Sequence, residues 1–174
     1  MKDIENFICD LASSLEYRED GSLVWLCAGK RSDLVGLIAG TVSSTDGYRY
    51  IKYRQKRIVA HRVVFYMHHG YVPDEIDHIN RVRDDNRIQN LREATTHTHN
   101  LGNQSIQKRE KSSKYKGVCW DKNRMKWMAY IKNKGKITNI GRFSSEEDAA
   151  AAYNYHAERI FGDFANLNNL QEKE

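Results

Sequence analysis

The stretch of sequence that decides the fold reads DEIDHIN over residues 74–80 and NRIQNLREAT over residues 86–95. The first run predicts the end of a strand, and the second predicts the end of a long polar loop and a returning strand. Residues 96–100 follow as THTHN, in which Thr96 is a suitable N-cap for a helix that carries His99. The pattern therefore predicts a hairpin that leads directly into a helix.

Four side chains of this stretch suit the hydrolysis of a phosphodiester, which needs a base for water and a cation that neutralises the developing charge. His78 titrates in the range required of a general base. Asp77 offers a hard oxygen ligand for Mg²⁺ or Mn²⁺, and His99 can complete the metal site from the helix. The side-chain carbonyl of Asn90 can accept the imidazole N–H and fix its tautomer. Because neighbouring strand residues point to opposite faces, Asp77 and His78 share one site only if the strand twists there.

The spacing of these residues, with Asn90 twelve positions after His78 and His99 nine further on, resembles the ββα-metal motif of phage-type HNH homing endonucleases. The resemblance extends over most of residues 20–103. It implies that Asp77 and His99 bind the divalent metal, that His78 is the general base and that Asn90 orients it. Many phage relatives carry asparagine at the position of His99, and Asn100 and Asn103 are the nearest alternative ligands. Two further predictions follow, a DNA-cleaving enzyme and a divalent cofactor, either Mg²⁺ or Mn²⁺.

Positive charge is concentrated in the C-terminal part of the chain. Residues 1–100 contain 14 basic and 14 acidic residues, whereas residues 103–142 contain 12 basic residues against Glu110 and Asp121. Aromatic residues are interleaved with this basic segment, which favours a polyanionic partner over a merely solvated surface. Three widely spaced cysteines without a CxxC pair indicate neither a zinc ribbon nor a disulfide framework.

Residues 113–168 resemble an AP2 domain, through YKGV at 115–118, KWMAYI at 126–131, IGRF at 140–143 and the alanine-rich run at 147–153. That family packs one helix on a three-stranded antiparallel sheet and presents the other sheet face to the DNA major groove. Strand alternation directs Trp127 toward the helix rather than toward DNA. The DNA contacts predicted on the exposed face are Lys116, Trp120, Lys122, Arg124, Lys126, Tyr130, Lys132 and Arg142.

The predicted fold class is α+β, with a ββα-metal (HNH) nuclease domain, its flanking strands and helix, and then a small three-stranded antiparallel sheet plus helix. The predicted domains are 1–104 for the nuclease and 114–170 for the AP2-like module, with a linker over 105–113. Periodicity predicts further helices over 4–16, 58–68 and 144–161 and further strands over 21–27, 35–42 and 48–53.

The sequence leaves three functions open. The favoured one is a site-specific homing endonuclease that binds double-stranded DNA and nicks it as a monomer. The alternatives are a DNA-binding regulator with a relic HNH domain and a non-specific nuclease. Neither a signal peptide nor an apolar run of spanning length is recognised, which predicts no membrane association and a cytoplasmic location in a bacterial or phage-infected cell.

Overall fold

The computed structural model describes residues 2–94 and 112–170. The chain divides into two compact units, Met1–Thr95 and Thr96–Glu174, each combining helices and antiparallel strands. This confirms the predicted α+β class. Within the described part of the chain, no helix has the length and apolar character needed to cross a membrane.

The N-terminal unit contains two helices and seven short strands. In chain order they are α1 (Lys2–Ala12), β1 (Leu15–Tyr17), β2 (Leu23–Trp25), β3 (Thr41–Val42), β4 (Arg49–Tyr53), β5 (Lys56–Val59), α2 (Ala60–His69), β6 (Ile76–His78) and β7 (Leu91–Glu93). The strands form three small antiparallel sheets in the orders β1-β2, β3-β4-β5 and β6-β7.

One apolar core holds these elements together. Helix α1 contributes Ile8 and Leu11, which are fully buried, and α2 contributes Val63 and Val64. The buried face of the β3-β4-β5 sheet adds Ile51. Each such side chain contributes roughly 1.5–3 kcal/mol of transfer free energy. Because α2 belongs to this core, the residues at its start are rigidly placed.

The first helix and the β4–β5 region differ from the sequence prediction. The helix ends at Ala12 rather than at residue 16, because Leu15 pairs with Trp25 in a strand ladder. The strand β5 was not predicted, since its residues were assigned to a loop and to the start of the helix. Helix α2 ends as expected at Gly70, whose left-handed φ of 76° favours glycine.

Over residues 112–170, the C-terminal unit consists of a three-stranded antiparallel sheet covered by one helix. Its elements are β8 (Val118–Asp121), β9 (Lys126–Asn133), β10 (Lys136–Phe143) and α3 (Glu146–Phe161), and the strand order is β10-β9-β8. Helix α3 packs on the sheet through small and aromatic side chains. The buried residues of this layer are Val118, Ala129, Ile131, Ala149, Ala150, Tyr153, Ala157 and Phe161.

Close packing between α3 and β8 requires Gly117. Its φ is +72°, and a Cβ atom there would lie 2.1 Å from the ring of Tyr153 and 2.6 Å from the backbone oxygen of Tyr130. The helix begins at Glu146 rather than at residue 144, because Ser145 is its N-cap and accepts a hydrogen bond from the backbone N–H of Asp148.

Candidate active site and nucleic-acid interface

The β6–β7 hairpin places the candidate catalytic residues. In its antiparallel register Asp77 lies opposite Arg92 and His78 lies opposite Leu91. Both Asp77 and His78 are buried, at 8% and 4% exposure. A buried carboxylate and a buried imidazole on adjacent residues are costly for the fold unless partners satisfy them. Their partners therefore define the site.

The carboxylate of Asp77 is held by an arginine. Arg92 donates to Asp77 Oδ2 from Nε at 2.9 Å and from Nη2 at 2.7 Å. Because Asp77 and Arg92 are cross-strand partners, the hairpin register itself brings them together. The pair keeps a charged oxygen donor in a largely dehydrated position.

The imidazole of His78 is surrounded by two aromatic rings and one amide. Its ring lies edge-on to His61, with centroids 5.1 Å apart, and 5.9 Å from the ring of Tyr48. Its Nε2 lies 3.2 Å from Oδ1 of Asn86, a residue that is only 2% exposed. An amide oxygen only accepts, so this contact places the proton on Nε2 and makes Nδ1 the basic nitrogen.

Burial lowers the pKa of His78, although the contact with Asn86 and the charges of Asp77 and Asp85 act in the opposite direction. Lowering favours the neutral imidazole. A neutral imidazole with a defined tautomer is the form that can remove a proton from water.

The contact with His78 that was predicted for Asn90 is made by Asn86. The side chain of Asn90 accepts from the backbone N–H of Asn80 at 2.9 Å and donates to the backbone oxygen of Asp85 at 2.8 Å. It therefore closes the loop between β6 and β7 instead of orienting His78. Sequence spacing could not separate the two asparagines, because both belong to the same polar loop and only its folded path decides which one reaches the imidazole.

The loop is also fastened to the rest of the N-terminal unit. Arg49 binds both carboxylate oxygens of Asp84, at 2.9 and 3.0 Å. Arg83 donates to the backbone oxygen of Asp46 at 2.7 Å and lies 4.9 Å above the ring of Tyr48. These contacts connect sequence-distant segments, which explains why the β3-β4-β5 sheet forms one wall of the site.

His61 is a site residue that the sequence analysis did not include. It is the second residue of α2, 9% exposed, and its ring lies 5.3 Å from that of Tyr48 as well as against His78. Burial lowers its pKa to about 3, and the charges of His78 and Arg62 act in the same direction. The available signal was its position at the start of an amphipathic helix, which does not distinguish a site residue from a packed one.

Of the two predicted metal ligands, only Asp77 lies among the described residues. Within residues 2–94 and 112–170 no group of three or more His, Cys, Asp or Glu side chains is arranged to hold a metal ion. Asp77 is a buried hard-oxygen donor, whereas His99 and the helix predicted to carry it lie outside the described residues. A single carboxylate is compatible with Mg²⁺ or Mn²⁺, since such ions commonly take their remaining ligands from water and substrate phosphates.

The second candidate site is the sheet face of the C-terminal unit that points away from α3. Alternation along β9 directs Trp127, Ala129 and Ile131 to the helix side, where Ala129 and Ile131 are buried. The opposite face, here called the outer face of the C-terminal sheet, therefore carries Lys126, Met128, Tyr130 and Lys132. The strand register places four further residues on this face: Cys119 of β8, and Ile137, Asn139 and Arg142 of β10.

The face assigned to Trp120 was wrong. Trp120 lies directly opposite Trp127 in the β8–β9 ladder, and the two rings meet edge-to-face at 5.0 Å. Residues opposite each other in an antiparallel pair share a face, so Trp120 lies on the helix side. The sequence analysis placed it on the exposed face, because the sequence does not reveal the cross-strand register.

The remaining predicted DNA contacts lie on or beside the outer face of the C-terminal sheet. Lys122 and Arg124 are exposed in the β8–β9 turn. Arg142 donates to Asp121 at 2.8 Å, so part of the positive charge on this face is already paired. Lys116 is fixed through its backbone, whose N–H donates to Asn168 Oδ1 at 2.6 Å.

Comparison with known families gives two matches, one in each part of the chain. The family model described as HNH endonuclease matches residues 59–101, and the model described as AP2 domain matches residues 113–163. The first span includes His61, the β6–β7 hairpin and the position of His99, and the second includes β8, β9, β10 and α3. No solved structure matches the chain significantly. The chain therefore combines an HNH endonuclease domain with a C-terminal AP2 domain.

Proposed function

We propose that this protein is a metal-dependent endonuclease that hydrolyses phosphodiester bonds in duplex DNA, and that it is a site-specific homing endonuclease. The observation that carries the proposal is the buried His78, whose tautomer is set by Asn86 and which adjoins Asp77 on β6. The HNH match over the same residues and the basic sheet of the AP2 domain support it. One catalytic histidine per chain predicts that a monomer nicks one strand.

In the proposed reaction His78 acts as the general base. Its Nδ1 takes a proton from water as the water oxygen forms a bond to phosphorus and the bond from phosphorus to the 3′ oxygen breaks, and a second water supplies the proton that the departing 3′ oxygen takes up. The products are then a 5′-phosphate and a 3′-hydroxyl. Asn86 keeps Nε2 protonated throughout, which maintains Nδ1 as the acceptor.

A divalent cation, Mg²⁺ or Mn²⁺, supplies charge neutralisation at the scissile phosphate and the departing oxygen. Asp77 and His99 are the residues proposed to hold it. Arg92 positions the Asp77 carboxylate and adds positive charge beside it. This chain's own contribution is thus a fixed oxygen donor, a fixed base and a dehydrated wall.

DNA binding is assigned mainly to the C-terminal unit. The proposed contacts on its outer face and adjoining turn are Lys116, Lys122, Arg124, Lys126, Tyr130, Lys132 and Arg142. Most of these lysines are expected to contact phosphates, which position the protein without reading sequence. Tyr130 offers an aromatic edge near the centre of the face, where contact with a base is possible.

Cleavage of supercoiled plasmid that carries candidate target DNA, in the presence of Mg²⁺ or Mn²⁺, tests the proposal. His78→Ala should abolish cleavage while DNA affinity stays nearly unchanged, and His69→Ala, an exposed histidine at the end of α2, is the matched control. Absence of cleavage by the natural protein with every metal and target would favour a DNA-binding regulator. Equal cleavage of unrelated sequences would instead indicate a non-specific nuclease, and run-off sequencing of the products would locate the site.

A further inference from the structure

We propose that the N-terminal unit has a phosphate-binding surface of its own, on the sheet face that leads from His78 to Lys52 and Arg57. This surface would hold the backbone of duplex DNA next to the scissile bond. The inference rests on the proposed function and deepens it, because it assigns part of the DNA contact to the nuclease unit rather than to the AP2 domain.

The surface is built from successive cross-strand pairs of β4 and β5. Tyr50 lies opposite Val59, and Lys52 lies opposite Arg57 on the same face. A backbone hydrogen bond from Ser43 to Tyr48 at 2.8 Å continues the sheet beyond the start of β4. Beyond the last cross-strand pair, the ring of Tyr48 lies 5.3 Å from the ring of His61, the second residue of α2, and these two rings form the last pair of the face.

The candidate general base adjoins this last pair. His78 contacts the rings of both Tyr48 and His61, at 5.9 and 5.1 Å. The face therefore begins at the base and ends at two exposed cations, Lys52 and Arg57. We call it the nuclease track.

At the end of the nuclease track Arg57 stacks on Tyr50 and interacts electrostatically with Asp46, whereas Lys52 is exposed beside it. Lys52 and Arg57 are directly opposite each other, and like charges in that arrangement destabilise a strand pair. A polyanion laid across them would remove the repulsion and release counterions. The Lys52–Arg57 pair is therefore expected to be more favourable when DNA is bound than in the free protein.

Arginine–tyrosine stacking prepares the nuclease track for phosphates. The guanidinium of Arg57 lies 3.6 Å from the ring centroid of Tyr50, and that of Arg83 lies 4.9 Å from the centroid of Tyr48. A stacked guanidinium has a restricted orientation and presents its planar donors for paired hydrogen bonds to phosphate oxygens. The carboxylate that interacts with this face, Asp46, already accepts from the hydroxyl of Tyr50 at 2.8 Å.

The other three cations of the hairpin have structural uses, and the pairing of Arg49 with Asp84 is described above. Arg54 forms an ion pair with Asp10 at 2.7 Å. The ammonium of Lys56 lies 5.4 Å from the ring centroid of Phe7, on the face that packs toward α1. Lys56 is thus a matched control, since it belongs to the same hairpin but points away from the nuclease track.

The length of the track predicts where it meets DNA. Tyr48 and Lys52 lie four residues apart on the same face, which corresponds to roughly 13 Å along a strand. Phosphates on one DNA strand advance by about 3.4 Å per step along the helix axis. The contact is therefore expected no more than about four base pairs from the scissile phosphate, the limit reached when the track runs parallel to the DNA axis.

The test uses the full chain with Lys52→Gln, Arg57→Gln, the double variant and Lys56→Gln. Affinity for duplex target DNA is measured in EDTA over a series of salt concentrations, so that no chemistry occurs. The logarithm of the association constant falls as the logarithm of the salt concentration rises. Each track variant should make this slope less steep by about 0.9, and the double variant by about 1.8. Lys56→Gln should leave the slope at the natural value.

A second measurement locates the contact. Ethylation interference should identify phosphates no more than about four base pairs from the cleavage position in the natural protein, and this signal should disappear in the double variant. Unchanged slopes for Lys52→Gln and Arg57→Gln, or an equal loss for Lys56→Gln, would overturn the proposal. Because binding is measured without metal, failure of the track is distinct from failure of the nuclease function, which appears as uncut plasmid.

Discussion

At the scale of single residues, His61 and His78 show how burial sets protonation at this site. The two rings are in contact, both are buried, and burial lowers the pKa of each. Two neighbouring imidazoles that both remain neutral do not repel each other. The arrangement keeps His78 in the form that can act as a base, but it also buries a second titratable group, His61, at the start of α2.

Stability should therefore depend on the protonation of His61. Its pKa is about 3 in the folded protein and 6.5 in the unfolded chain, so the unfolded chain binds more protons between these values. Stability then falls as pH decreases below 6.5, at about 1.4 kcal/mol per pH unit from this group. In urea unfolding, the free energy of unfolding decreases between pH 7.5 and pH 5.5. This decrease should be about 1.4 kcal/mol smaller for His61→Phe than for the natural protein.

Groups that titrate in both proteins cancel in that comparison. Between pH 7.5 and 8.5 the two proteins should show the same pH dependence, since His61 is neutral in both states there. If the free energies of unfolding of the two proteins changed in parallel down to pH 4.5, burial would not lower the pKa of His61.

Asn86 should act through His78. We expect Asn86→Ala to lower kcat by about 10²-fold, within the range that a positioned general base contributes. KM should change little, because Asn86 is buried and faces the imidazole. In the His78→Ala background the same substitution should have no further effect on the residual rate, whereas additive losses would mean that Asn86 has a separate role.

At the scale of elements, the loop between β6 and β7 is a structure closed by its own side chains. Asn80 donates to Asp85 Oδ2 at 2.6 Å and Arg87 binds the same carboxylate at 2.6 and 2.8 Å. These bonds lower the pKa of Asp85 to about 2. Asn90 joins the two ends of the loop through Asn80 and the backbone of Asp85.

Asn90→Ala should consequently destabilise the N-terminal unit. It leaves one partly buried N–H and one partly buried carbonyl without their partner, at about 1–3 kcal/mol each. Urea denaturation should show this loss, and the rate at saturating DNA should fall less than for Asn86→Ala. The reverse order, a stable but inactive Asn90→Ala protein, would restore the catalytic role that the sequence suggested.

The corrected position of Trp120 predicts a similar separation in the C-terminal sheet. Trp120→Ala removes an aromatic contact with Trp127 and should cost about 1–3 kcal/mol of stability. Tyr130→Ala, on the outer face, should instead weaken DNA binding with a smaller effect on unfolding. Circular dichroism melts and a binding titration measure both variants, and loss of DNA affinity by folded Trp120→Ala would return this residue to the interface.

At the scale of the whole molecule, the proposed function assigns chemistry and most of the DNA binding to different units. The proposed catalytic histidine lies in the N-terminal unit, and the excess of positive charge lies in residues 103–142. Such a division allows affinity and rate to be changed independently, which is the property that distinguishes it from a single-domain nuclease.

The double variant Lys126→Gln and Lys132→Gln tests this division. Both lysines are exposed on the outer face of the C-terminal sheet, and each is expected to contact a phosphate. The slope of log K against log salt should decrease by about 1.8, and the single-turnover rate at saturating DNA should stay within about twofold. A large loss of rate at saturation would show that the two units do not act separately.

The sequence by itself determined the α+β class, the hairpin with Asp77 and His78, and the alternation that buries Ala129 and Ile131. These features depend on local periodicity and on short motifs, which residues close in sequence specify. Only the tertiary structure decided that Asn86 reaches His78, that His61 and Tyr48 complete its surroundings, and that Trp120 shares a face with Trp127. The physical reason is that each of these contacts depends on a loop path or a strand register, which is set by packing between segments and is not encoded in spacing alone.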